Sequence, residues 1–208
     1  MGFKDILERI LLMFTRYGIR SITMDDIARE LGISKKTLYH DFEDKNDLIK
    51  RVIDFDIMQS RKFLEKVHRS DLDAIEEIFL VNGRIHQIHS RYNPSFYYDL
   101  KRYYPETYKR WLDEKRHNMF ALIVGNLKKG KAEGIYREEI HEQSIGKLYM
   151  ARMEMLKNHE ILDGLLSLSS EFMQEIFTYH LHGICNESGL KRLAEFKEES
   201  AYKQVKEI

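Results

Sequence analysis

Apolar positions recur with a helical period almost from the first residue. Ile6, Ile10, Met13 and Tyr17 fall at 4-3-4 spacing, which predicts an amphipathic helix over 3–17. Gly18 follows, a residue that tolerates the positive φ of a helix end. Thr23-Met24-Asp25-Asp26 then sets a hydroxyl N-cap three residues ahead of a carboxylate. This predicts a helix over 23–31 that turns Ile27, Ala28 and Leu31 inward and stops at Gly32. Ser34 caps a short segment from Lys35 to Phe42, and Asp44-Lys45-Asn46-Asp47 repeats the cap-plus-acid pattern. The long helix it opens carries Leu48, Ile49, Val52, Ile53 and Phe55. Further helices are predicted near 71–91, 95–102, 105–129, 141–158 and 169–187, with a charged tail helix near 189–206. Pro105 fits a first helical turn. The stretch Lys128-Lys129-Gly130-Lys131-Ala132-Glu133-Gly134 reads as a loop, and Ser167, Ser169 and Ser170 as a cap before Phe172. No run of strands, internal repeat or low-complexity stretch interrupts the series, so the fold class is all-α.

Composition narrows the classes of function. Of 208 residues 43% are hydrophobic and 33% charged, which is the balance of a globular protein with a core. Basic and acidic residues each number 34, so the chain has no polybasic coat for RNA or a membrane surface. No apolar stretch is long enough to span a bilayer, and the opening residues mix charges into the apolar pattern rather than forming a signal-peptide core. The single Cys185 cannot form an internal disulfide and reads as a small buried hydrophobe. Together these features point to a reduced, cytoplasmic protein without a membrane partner.

The first 50 residues are more specific than amphipathicity alone. A helix over 23–31, the turn Gly32-Ile33-Ser34 and a second short helix from Lys35 make a helix-turn-helix. Ala28 lets the two helices approach, and Gly32 takes the left-handed conformation of the turn. Ile33, Leu38 and Phe42 anchor the second helix to the first. Lys35, Lys36, Thr37, Tyr39 and His40 are left facing outward, and all of them can donate hydrogen bonds to phosphates or base edges. A purely structural helical hairpin is the competing reading, and it has no need of such a donor cluster.

Ile22-Thr23-Met24-Asp25-Asp26-Ile27-Ala28, then Gly32 through Phe42, then Lys45 and Leu48, strongly resemble the TetR family of transcriptional regulators over roughly residues 5–52. The resemblance implies a three-helix DNA-binding head, residues 1–48, joined by a long helix to a ligand-binding and dimerisation domain, residues 49–208. It implies a homodimer on a near-palindromic double-stranded operator, released by a small-molecule effector, with repression as the usual outcome and no catalytic residue, cofactor or metal. Carried over by position, Thr23 meets phosphate, and Lys35, Lys36 and Thr37, with the capping Ser34 as a further DNA-binding residue, meet base edges and backbone. Tyr39 and His40 meet flanking phosphates, and Lys45 another. Residues 1–50 hold nine basic and nine acidic side chains, and Asp41, Glu43 and Asp44 close the recognition helix. Modest affinity with a real salt dependence is expected, with specificity supplied by the dimer. The alternative is an adaptor or ligand-binding protein whose head has lost specific DNA affinity.

The rest of the chain offers two further groups. His86, His89, Tyr92, Phe96, Tyr97, Tyr103, Tyr104, Tyr108, Trp111 and Phe120 concentrate aromatic rings with polar handles where the resemblance implies an effector pocket. They suit a flat or amphipathic ligand, or else they fill the core. Leu148, Arg152 and Leu156 share one helix face, and Phe172, Ile176, Tyr179 and Gly183 share another. Periodicity alone does not separate an intramolecular face from an interface, and the resemblance favours a four-helix dimer contact.

Overall fold

The computed structural model describes residues 2–157 and 170–206, with side chains described except at 85–91, 155–157, 170 and 199–206. Ten helices are present among these residues: α1 Phe3–Tyr17, α2 Met24–Leu31, α3 Lys35–Asp41, α4 Lys45–His68 and α5 Ala74–Arg91, followed by α6 Pro94–Tyr103, α7 Pro105–Ala132, α8 Glu142–Lys157, α9 Ser170–Ile184 and α10 Glu187–Lys206. Extended pairing among the described residues is limited to one isolated antiparallel bridge, Tyr136 with Cys185. None of the helices is long and apolar enough to cross a membrane.

The local codes act as the residue types require. Thr23 Oγ1 accepts from the Asp26 amide at 3.1 Å, while the Thr23 amide donates to Asp26 Oδ2 at 3.0 Å. The Thr23 hydroxyl also donates to Asp26 Oδ2 at 2.6 Å, and this bond, with that of the Thr23 amide, holds the Asp26 carboxyl below its ordinary value. Ser34 Oγ accepts from the Thr37 amide at 3.0 Å and Asp44 Oδ1 from the Asp47 amide at 2.8 Å, so α3 and α4 start where capping residues stand. Gly32 sits at φ 69°, and the amides of Gly32 and Ile33 return to the carbonyls of Arg29 and Ala28. A residue with a Cβ would be strained there.

The chain forms two compact units, Met1–Lys66 with Gly83–Asn118, and Val67–Asn82 with Met119–Ile208. The expected boundary at residue 48 is therefore not where the compact units part. In the first unit the head residues Ile10, Phe14, Ile27, Leu38 and Phe42 share one core with Leu48, Ile49, Val52 and Ile53 of α4 and with Phe96, Leu100 and Trp111. Helix α6 docks on the end of α1: the Asn93 amide donates to the Thr15 carbonyl at 2.7 Å, and the Arg20 amide to Asp99 Oδ2 at 2.8 Å.

In the second unit, Glu77 is buried against Lys129 Nζ at 2.6 Å and Asn126 Nδ2 at 3.2 Å. The Tyr136 hydroxyl lies 3.1 Å from Asn126 Oδ1 and 3.2 Å from the Ala74 carbonyl oxygen. One expectation fails here. Gly130 does not belong to a loop, because α7 continues to Ala132. The buried Tyr136 ring lies against the backbone of Gly130, where an added Cβ would fall 2.1 Å from the Tyr136 Cδ2. The glycine thus makes room for a ring inside a helix, and the chain turns only at Gly134, φ 71°.

Candidate nucleic-acid interface

The anchor side of α3 is apolar: Leu38 is fully buried, Phe42 nearly so, and Ile33 half-buried. With that face fixed, Lys35, Lys36, Thr37, Tyr39 and His40 are all exposed. Their hydrogen-bonding groups are not equally available. Lys35 Nζ pairs with Asp25 Oδ1 of α2 at 2.7 Å, which raises the lysine above its ordinary value. Thr37 Oγ1 lies 2.8 Å from Ser34 Oγ, so these two hydroxyls are partly occupied by the cap. His40 Nδ1 lies 3.2 Å from Asp41 Oδ1, which leaves its other ring nitrogen outward. Lys36, exposed beside Lys35, makes no ion pair among the described residues. The outward face is therefore a donor surface centred on Lys36, Tyr39 and His40, with Lys35 available once it leaves Asp25.

Two expected phosphate contacts are placed differently. The Thr23 hydroxyl accepts from the Asp26 amide and lies 2.6 Å from Asp26 Oδ2, so it is held within the α2 cap although the residue is exposed. Lys45 is held more firmly still. Its Nζ donates to the carbonyls of Ile19 at 2.8 Å and Ile22 at 2.5 Å, and burial pushes its pKa down. Those bonds satisfy two carbonyls between α1 and α2 and take two of the three ammonium protons away from phosphate.

The expected effector residues do not line one described space. Tyr92, Phe96, Tyr97, Tyr108 and Trp111 pack ring on ring in the first unit, with centroids 5.2 to 6.2 Å apart. At their centre stands Asp56, 6% exposed. Trp111 Nε1 donates to its Oδ2 at 2.7 Å, the Tyr92 hydroxyl to its Oδ1 at 3.2 Å, and Lys115 Nζ lies 3.0 Å from Oδ2. Burial pushes the Tyr97 hydroxyl up to about 12, with Asp56 adding to the shift, and burial also raises Tyr92 and Tyr104. Tyr103 instead accepts from Arg20 Nη1 at 2.7 Å. Phe120 belongs to the second unit, where it faces Gly146. The side chains of His86 and His89 lie outside the described residues, on a helix whose backbone is described. A cavity of about 630 Å³ in the first unit is lined by Arg61, Glu106, Lys109, Arg110, Asp113, Glu114 and His117, and by none of the expected residues. Asp56 itself was missed in the sequence. Its signal is a carboxylate four residues after Val52 and three after Ile53, where the apolar stripe of α4 would continue.

The remaining group lies on α8 and α9 of the second unit. Leu148 is 64% and Tyr179 83% exposed, and Gly183 has open space where a Cβ would stand. Phe172 and Ile176 are half-buried, and the side chain of Leu156 is outside the described residues. Arg152 turns inward, its Nη1 donating to the Ile176 carbonyl at 3.0 Å.

Comparison with known proteins bears on the head and on the fold separately. Residues 6–52 match the family model for bacterial regulatory proteins of the tetR family. An HTH-type transcriptional regulator of Staphylococcus aureus (strain USA300) is 47% identical over 45 residues, 22% of this chain and 24% of that protein. The matched stretch thus spans about a quarter of the curated relative. Solved structures align along most of the chain. The ketosteroid transcriptional regulator KstR2 of Mycobacterium tuberculosis covers 88% of it and 94% of its own length, at TM-score 0.54 and 18% identity. A TetR transcriptional regulator from Legionella pneumophila covers 96% and 97%, at TM-score 0.61 and 14% identity. A gamma-butyrolactone receptor covers 93% and 94%, at TM-score 0.59 and 13% identity. At such identities the likeness establishes the fold. Residues 6–52 thus match the tetR family of bacterial regulatory proteins, and the described helices share the fold of solved TetR regulators.

Proposed function

We propose that this protein is a ligand-responsive transcriptional repressor that binds a near-palindromic operator as a homodimer in the cytoplasm and catalyses no reaction. The observation that carries the reading is the two-sided construction of α3. Leu38 and Phe42 fix it to the head core, while Lys36, Tyr39 and His40 stand out as donors. A helix so anchored can lie in a major groove, and a two-fold dimer would set two of them one helical turn apart. The exposed Leu148, Tyr179 and Gly183 on α8 and α9 fit a contact with a second copy. Coupling to an effector requires a ligand that prefers one arrangement of the head. The α6 bonds to Thr15 and Arg20 supply a direct mechanical link from the aromatic cluster to the end of α1. The names of two fold neighbours, a ketosteroid regulator and a gamma-butyrolactone receptor, agree with an amphipathic effector.

The test is fluorescence anisotropy of the full chain against DNA flanking its own coding region and a random-sequence pool, at salt stepped from about 50 to 200 mM. Sequence-dependent binding by two protomers is expected. Lys36→Ala should weaken it by about 1–3 kcal/mol if the lysine reads a base, or lower the salt slope by about 1 if it meets phosphate. Helicity should be unchanged. Absence of binding to the whole pool at low salt would favour the adaptor reading, which the Lys35–Asp25 pair and the charge-neutral head support.

A further inference from the structure

Among the described residues most half-buried cations are met by acids, and the exceptions are Lys45, tied to two backbone carbonyls, and Arg152. Lys115 pairs with Asp56, Lys129 with Glu77, Lys131 with Glu142, and Arg192 with Asp73 and Glu76. Arg152 on α8 is also half-buried, yet no carboxylate of the described residues pairs with it, and burial lowers its pKa. Its guanidinium lies over the Tyr149 ring, 4.4 Å from the centroid, and its Nη1 is bonded to the Ile176 carbonyl. Its Nε is buried and has no hydrogen-bond partner among the described residues. The hydroxyl of Tyr149, a residue only 1% exposed, is likewise buried; among the described residues it interacts with the Arg152 guanidinium, outside good hydrogen-bond geometry, and its O–H has no acceptor. The His180 ring stands edge-on to Tyr149 at 5.0 Å, and burial together with Arg152 pushes its pKa down to about 4. The imidazole is therefore neutral at neutral pH and contributes no positive charge.

Buried donors are almost always paired, and a buried unpaired cation is still rarer. Both unmet donors here are N–H or O–H groups, so the missing partner is an acceptor, and the unbalanced charge makes it an anion. The engaged Nη1 leaves the edge formed by Nε and Nη2, the edge on which a guanidinium takes a carboxylate by two parallel bonds. The geometry points to a carboxylate-binding site on α8 and α9, in which Arg152 grips both oxygens and the Tyr149 hydroxyl donates a third bond. The ligand class is a small organic acid. The site stands on its own geometry, and that its occupant is the effector rests on the regulator reading above.

The test is heteronuclear NMR of the full chain, following the Arg152 Nε–Hε resonance during titration with acetate, benzoate and octanoate. The matching amides and sodium chloride serve as controls. At least one acid should move this resonance downfield saturably by about 50 mM, where even millimolar affinity saturates. The amides and chloride should leave it in place. Arg152→Lys keeps the charge but removes the fork and should weaken binding at least about tenfold. Tyr149→Phe, which leaves the packing intact, should weaken it about fivefold. A resonance unmoved by all three acids, or moved equally by the amides, would overturn the site. So would one already downfield in the dimer that reverts on dilution, because a second copy would then supply the acceptor. The same acid is expected to release operator DNA from the parent protein but not from Arg152→Lys. If the acid binds while no DNA is bound at all, the regulator reading fails and the site survives.

Discussion

Each unit of this protein buries a polar cluster beside aromatic rings, and the two clusters treat their donors in opposite ways. In the first unit Trp111, Tyr92 and Lys115 converge on one carboxylate, Asp56, and nothing in the set is left without a partner. In the second, Tyr149 and Arg152 each keep a buried donor unmet among the described residues, beside a neutral His180. A count of polar aromatic residues would rank the first cluster as the better ligand site. Hydrogen-bond satisfaction reverses that order, because a completed network already has its ligand in Asp56 whereas an incomplete one lacks an acceptor.

The contrast can be broken from either side, and the largest effect should come from Asp56→Ala. It would strand an indole N–H and a phenol and leave the half-buried Lys115 ammonium with Ser60 but no acid, at a cost of about 3–5 kcal/mol. Urea unfolding followed by the fluorescence of Trp111, the single tryptophan, measures it.

Next is the acid dependence of the second cluster. His180 has a folded pKa of about 4 against an ordinary 6.5. Between those pH values the unfolded chain holds a proton that the folded chain refuses. Stability from this group is thus complete above pH 6.5 and falls as the pH drops toward 4, by up to about 3 kcal/mol. His180→Gln should flatten that part of the stability curve.

The two buried tyrosines of the second unit sharpen the contrast further. Tyr136→Phe removes a hydroxyl that has partners in Asn126 and Ala74 and should cost about 1 kcal/mol. Tyr149→Phe removes one that has none and should change stability by less than about 0.5 kcal/mol in the absence of ligand. Equal losses in the two variants would mean that the Tyr149 hydroxyl is satisfied in solution and would dissolve the distinction between the clusters.

The head was largely legible in the sequence because its instructions are local. Thr23 with Asp26, Ser34 with Thr37 and Asp44 with Asp47 are contacts three residues apart, and each begins a helix where the pattern places it. Gly130 was misread because its reason lies six residues on, in the ring of Tyr136. The backbone bonds of Lys45 are not legible in the sequence because the carbonyls it binds belong to Ile19 and Ile22, 26 and 23 residues away. The aromatic stretch was visible as a composition, but Asp56, which organises it, comes from a different helix.

By itself, then, the sequence determined the helices, the helix-turn-helix and the outward face of α3, since periodicity, caps and a left-handed glycine act over one or two turns of chain. Only the tertiary structure decided which donors are available to a partner. Lys35 is paired across helices, Lys45 is tied to backbone carbonyls, the first aromatic cluster is closed on Asp56, and Arg152 is left without an acid among the described residues. A donor is met or left unmet by groups that the fold brings from distant positions, and no local pattern encodes that pairing.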